Sequence, residues 1–273
     1  MTCVNGTWSC LSAAWLRWAV AGSLAVPLSA LGAETARAGG PILVQSDGSI
    51  TVNPAMSAFQ PAAVGQREPI RYDFGLPRQP PALRALAEGS SAVLQTGWTR
   101  HGIRYTQTVL LTRLAAGDLL PGGTVPADAV LLVQIKGENT ASEYAEASAQ
   151  FAVAVGTRSL PLELREGSVW VAETNQLAPL AVVDVSPSGV TGTNGTALQF
   201  RGFMPPATSG TMTFKIPSAK LTGSDALDRL RDLAFEDELR RVQRYWAERA
   251  NPGVTAPPPL SFAEAQSHGP GIP

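Results

Sequence analysis

Cysteine is almost missing from this chain: Cys3 and Cys10 are the only two, both within the first ten residues. The rest of the chain can therefore hold no disulfide, no cysteine nucleophile and no thiolate metal site. Histidine is as scarce, with His101 and His268 alone. Charge is thin: 16% of residues are charged, 21 Lys and Arg offset 22 Asp and Glu, and the net charge is -1. No basic cluster breaks that balance, which argues against nucleic acid or an anionic membrane surface as partner. Familiar signatures are absent as well. The sequence has no Gly-rich phosphate loop, no Gly-x-Ser-x-Gly elbow and no His-Glu-x-x-His zinc helix. No metal and no cofactor are expected.

What is present is apolar material. Hydrophobic residues make up 44% of 273 positions, enough for a substantial core and too much for a disordered chain. Residues 1–38 read as a removable targeting segment. Arg17 precedes the apolar run Trp18 to Leu31, and Ala36-Arg37-Ala38 has the small-x-small form of a cleavage site. The run is short of the ~20 apolar residues that span a bilayer. A secreted or periplasmic protein is expected, with no membrane association once that segment is removed.

Residues 39–217 alternate turn signals with period-two apolar runs. Ile42-Leu43-Val44 and Ile50-Thr51-Val52 flank Ser46-Asp47-Gly48-Ser49, where Asp-Gly signals a hairpin. Asn53 to Ala82 carries six prolines and reads as a loop or irregular edge. The clearest hairpin joins Ala92 to Trp98 with Ile103 to Leu111. Ile103, Tyr105, Val109 and Leu111 share one face, and Arg104, Thr106 and Thr108 the other, so one face should be buried and one wet. Val130 to Ile135 fits a central strand. Further strands are expected around Leu160 to Leu164, Val169 to Ala172, Ala181 to Val185, Ala197 to Phe203 and Met212 to Ile216, and at the alternating Phe151, Val153 and Val155. Asn194-Gly195-Thr196 matches a glycosylation sequon, but Asn-Gly is more simply a hairpin turn. About ten short strands with no amphipathic helix between them predict an antiparallel β-sandwich.

Helix signals are confined to residues 218–250. Ser224 is a candidate N-cap, with Asp225 and Asp228 behind it. Leu227, Leu230, Leu233, Leu239, Val242 and Trp246 form an apolar stripe, and Phe235 marks a break between two helices. Residues 251–273 are proline-rich and read as an unstructured tail.

Chemistry is harder to place. His101 falls in a hairpin turn, where a histidine is usually solvated. Glu138, Glu143 and Glu146 cluster after the Val130 strand, as a catalytic acid pair would require, but the surrounding Asn139-Thr140 and Ser142 favour a polar loop. Glu163, Glu166 and Glu173 show no distinctive spacing. The aromatics Trp98, Tyr105, Trp170 and Tyr72 read first as sheet core and alternatively as a sugar-stacking platform. Carbohydrate binding is thus assigned to Trp98, Tyr105 and Trp170.

Two blocks carry a resemblance. Gln95-Thr96-Gly97-Trp98-Thr99-Arg100-His101-Gly102-Ile103-Arg104-Tyr105-Thr106-Gln107-Thr108 resembles a segment of the N-terminal supersandwich domains of six-hairpin glycosidase-like proteins. Lys215-Ile216-Pro217 and Phe235 to Trp246 resemble the bridge that follows it. The resemblance covers about Gly89 to Pro259. It implies a supersandwich followed by a linker helix leading to a catalytic (α/α)6 barrel that this sequence lacks. No catalytic residue of those proteins has a matching position here. The chain would then be a non-catalytic domain, separated from its barrel by truncation, a split gene or a frameshift. Leu239, Val242 and Trp246 would pack toward that barrel, with glycan as a further partner. The alternative is a free-standing carbohydrate-binding or adhesion module; a weaker one is an enzyme working through Glu138 to Glu146.

Overall fold

The computed structural model describes residues 42–54, 68–87, 92–115, 128–172, 179–186, 190–193, 195–218, 221 and 224–249. The stretches read as a targeting segment and a proline-rich tail, with Cys3, Cys10, Glu173, Asn194 and His268, lie outside the described residues. What is described lies within one compact unit, Gly39–Gln266.

The strands are β1 (Ile42–Val44), β2 (Ile50–Val52), β3 (Ile70–Asp73), β4 (Leu83–Leu86), β5 (Val93–Arg100), β6 (Ile103–Arg113), β7 (Ala129–Asn139) and β8 (Ala145–Val155). They continue as β9 (Arg158–Ser159), β10 (Leu162–Arg165), β11 (Ser168–Val171), β12 (Ala181–Ser186), β13 (Val190–Thr193), β14 (Ala197–Met204) and β15 (Ser209–Pro217). A short helix, Ser224–Asp232, and a long one, Phe235–Arg249, complete the fold. The smaller sheet runs β1-β2-β3-β8-β14-β13, with β9 also on β8; the larger runs β10-β11-β12-β15-β7-β6-β5-β4. Every pairing is antiparallel. The protein is a mainly β, antiparallel sandwich closed by C-terminal helices, as the alternation predicts.

Phe214 of the larger sheet holds the two layers together. Its ring stacks on Phe151 of the smaller sheet, with centroids 4.9 Å apart, and meets Phe74 and Phe200 at 5.2 and 5.9 Å. The register fixes which residues face this core. Trp98, Tyr105, Gly137 and Gly210 lie side by side across β5, β6, β7 and β15, and Tyr105 reaches the smaller sheet, its hydroxyl accepting the Ser148 amide at 3.1 Å. Thr99, Arg104, Glu138 and Ser209 occupy the neighbouring rungs.

The larger sheet's outer face divides in two. Over its lower half lie the helices, which touch β5, β6 and β15. Here Leu110, Leu132 and Val93 are fully buried although they point away from the inter-sheet core. Two polar clasps fix the helices. Lys215, 1% exposed, gives its ammonium to the Arg231 carbonyl in the last turn of the short helix, where the helix dipole favours a cation, and to Asp184 at 2.8 Å. Thr112 donates to Glu238 and accepts from Arg241 at 2.6 Å, while Arg241 also pairs with Glu238 at 2.8 Å. Residues Leu233 and Ala234 separate the helices, so the break falls where Phe235 predicts it.

Three strands depart from expectation. β3 sits inside the proline-bearing stretch read as a loop: Pro69 precedes it, and Ile70 and Tyr72 then alternate with Arg71. β4 is an edge strand whose residues are mostly exposed, so no alternation announces it. β13 pairs with β14 where the sequence offered no strand; Asn194, between them, lies outside the described residues.

Candidate functional site

The smaller sheet changes character along β8. Ala152 to Val155 have β3 as a neighbour, but β3 ends at Asp73 and the chain turns away at Gly75. Asp73 accepts the Gly75 amide at 2.8 Å, and a side chain at Gly75 would run into Gln150. Gln150 still donates its amide to the Phe74 carbonyl at 3.0 Å, but from Ala149 back to Ala145 β8 pairs only with β14, so the β5–β6 hairpin tip comes to lie beside its free edge. That tip is a two-residue turn. His101 and Gly102 both have positive φ, 50° and 76°, the conformation of a type I′ turn and the reason glycine stands second.

Three recesses follow this rim. The first, about 340 Å3, is lined by Asp47, Asp73, Leu76, Arg78, Arg100 and Gln150. The second, also about 340 Å3, is lined by Arg100, His101, Tyr105, Glu146, Ser148 and Arg201. The third is larger and apolar. It opens between the sheets over about 550 Å3, and it shares Tyr105, Glu146 and Arg201 with the second. Arg100 joins the first two, so the recesses form a run from polar to apolar.

Of the nominated aromatics only Tyr105 borders these recesses, and it offers them little more than its hydroxyl edge. Trp98 is 1% exposed and Tyr105 4%. Both stand on the inward side of the hairpin, where an enclosed ring has no face to offer a sugar. Tyr72 is fully enclosed, and burial pushes its phenol well above the ordinary range. Only Trp170 is half-buried, opposite Glu163 near the edge of the larger sheet. Among the described residues the exposed aromatics are instead Tyr144 and Phe203, 72% and 78% accessible. Phe203 is opposite Glu146 in the β8–β14 ladder, and Tyr144 lies one residue before β8. Sequence signal for Phe203 existed: Leu198, Phe200 and Met204 claim the inward parity of β14, leaving Gln199, Arg201 and Phe203 outward.

The acids scatter rather than converge. Glu138 pairs with Arg104 at 2.7 Å on the outer face of the larger sheet, and that hydrogen bond holds its carboxyl below the usual range. The chain then crosses to the other layer, so Glu146 falls on the outer face of the smaller sheet, 3.9 Å from Arg201. Glu163 is tied to Arg165 at 2.6 Å and likewise lowered. Glu166 sits in the tight turn with Gly167. In the first recess Asp47 is occupied by Ser49 and Arg71. Among the described residues no group of three or more His, Cys, Asp and Glu could hold a metal ion.

The stripe assigned to barrel packing is used inside this domain. Val242 is fully buried, Trp246 is 6% exposed and Leu239 packs beside them against the core. The sheet beneath already covers that face, so a second domain would meet the helix's other sides. Among the described residues no helix is long and apolar enough to cross a membrane. No protein-family model matches the chain, and no curated protein matches it.

Proposed function

We propose that the chain is a non-catalytic N-terminal β-sandwich module of a secreted glycoside hydrolase-like protein. It braces a catalytic (α/α)6 barrel, supplied in the same protein or by a neighbouring gene, and contacts glycan. The observation that carries the bracing role is the clasped exit of the chain. Lys215 and Thr112 tie the two helices to β15 and β6, so the long helix leaves the sandwich in a fixed direction. A flexible spacer would need neither a buried ammonium nor a buried hydroxyl beneath it. The resemblance of the Gln95 to Thr108 and Lys215 to Trp246 blocks points the same way.

Glycan contact is supported by Tyr144 and Phe203, whose exposed rings flank Glu146 and Arg201. Ring faces pack on the apolar side of a pyranose while planar polar groups take its hydroxyls. Co-purification with a barrel partner is the expected result. A barrel that turns over its glycan equally well with and without this chain would sink the bracing role, and so would glycoside turnover by the chain alone. Glycan binding lost in Phe203→Ala, with no barrel partner found, would assign the free-standing carbohydrate-binding module instead.

A further inference from the structure

The third recess has a structural cause. Sheets pack roughly 10 Å apart and need side chains from both layers to fill the gap. Here Gly137 pairs with Gly210 on the larger sheet, and Ala147 with Gly202 on the smaller. At Gly137 the layers still touch: a Cβ there would lie 3.7 Å from that of Ala147 and 3.8 Å from the Met204 sulfur. Beyond it they part, and a Cβ at Gly202 would have nothing within 4 Å. The space of about 550 Å3 falls inside the roughly 300–1,000 Å3 of pockets that enclose small ligands. Phe200, Met204, Met212 and Val185 make its walls apolar.

Its mouth is polar and leans positive. In the recess beside it, the Arg100 guanidinium has no side-chain partner among the described residues. Arg201 meets Glu146 only at 3.9 Å and Gln199 at 3.3 Å. Arg100 does not line the cleft itself: it stands in the adjoining second recess, which shares Tyr105, Glu146 and Arg201 with the cleft. Between walls and mouth stands Tyr105, 4% exposed; its hydroxyl accepts the Ser148 amide, and no described residue takes its proton.

We propose that this cleft binds a fatty acid, the acyl chain lying between the sheets and the carboxylate emerging past the Tyr105 hydroxyl into the adjoining recess that Arg100 and Arg201 line. An apolar slot ending at a phenol donor, with two cations in the recess beyond, suits an aliphatic anion. A saccharide would leave its hydroxyls unmatched against Phe200, Met204 and Met212. The proposal goes beyond the bracing role and does not depend on it.

The test is calorimetric titration of the full chain with dodecanoate, below its micellar concentration, and with uncharged dodecanol. Saturable dodecanoate binding at one site per chain is expected. Gly202→Leu puts a side chain into the open space and should weaken binding at least about tenfold, since a filled pocket excludes its ligand. Arg100→Gln should weaken dodecanoate about fivefold and leave dodecanol unchanged, because only the charge-assisted contact is lost. Should Gly202→Leu not fold, Val185→Phe fills the cleft from the opposite wall and carries the same expectation. No saturable binding by the wild type overturns the proposal. So does undiminished dodecanoate affinity in a folded cleft-filled variant.

Discussion

The two halves of strand β6 obey different rules. From Ile103 to Gln107 the strand alternates, with Arg104 exposed and Thr106 half-buried between buried neighbours. From Thr108 to Thr112 every residue is buried. Nothing in the strand itself changes. The helices land on the second half and turn a one-sided strand into a two-sided one. Period two is thus a record of which face meets water, and it disappears wherever another element covers the wet side.

The largest break in this comparison comes from excising residues 224–249. Val93, Leu110 and Leu132 would then face solvent as a contiguous apolar strip, which promotes association. Size-exclusion chromatography should show self-association and the melting temperature should fall; an unchanged monomer with unchanged melting refutes the covering role. Next in size is Lys215→Ala. It orphans the Arg231 carbonyl and frees Asp184. A fully buried pair broken this way costs about 3–5 kcal/mol, but Asp184 is 56% exposed and rehydrates. The expected loss by urea denaturation is therefore about 2 kcal/mol.

Thr112→Val removes a hydroxyl that both donates and accepts, and should cost about 1–1.5 kcal/mol in the same measurement. On the open half, Lys136→Ala should stay within ~0.5 kcal/mol of wild type, because its side chain is exposed. A larger effect there would mean that the open half is also covered. The smallest effect is a pH dependence. Arg104 holds the Glu138 carboxyl below its ordinary range, so its contribution is present above the unfolded pKa and lost as pH falls through the folded one. A melting difference between wild type and Glu138→Gln should therefore be visible near neutrality and vanish in acid.

Much of the sandwich was legible because its signals are local. Asp47-Gly48 and His101-Gly102 mark hairpins, Val130 to Ile135 is a buried central strand, and the break before Phe235 splits the helices. β4 escaped because its edge position leaves no hydrophobic parity to read. The site was less legible, since it depends on register. Trp98 and Phe203 are both strand aromatics, and only parity against Tyr105 or Leu198 separates the buried ring from the exposed one. Glu138 and Glu146 are neighbours in sequence yet lie on opposite layers, because the link between β7 and β8 crosses the sandwich. The cleft is further removed still. Its small pairs, Gly137 with Gly210 and Ala147 with Gly202, join residues dozens of positions apart, and no local pattern aligns them.

The route of the chain between layers also dictates an order of assembly. β3 and β8 are neighbours, yet the chain between them builds four consecutive strands of the other layer, β4 to β7. β14 joins β8 only after a second excursion through β10, β11 and β12. A chain emerging from its N-terminus can zip β4 to β7 as a meander early, while β1 to β3 wait with a bare edge. The smaller layer becomes whole only when Ala197–Met204 arrives, so its first strands need shelter during synthesis.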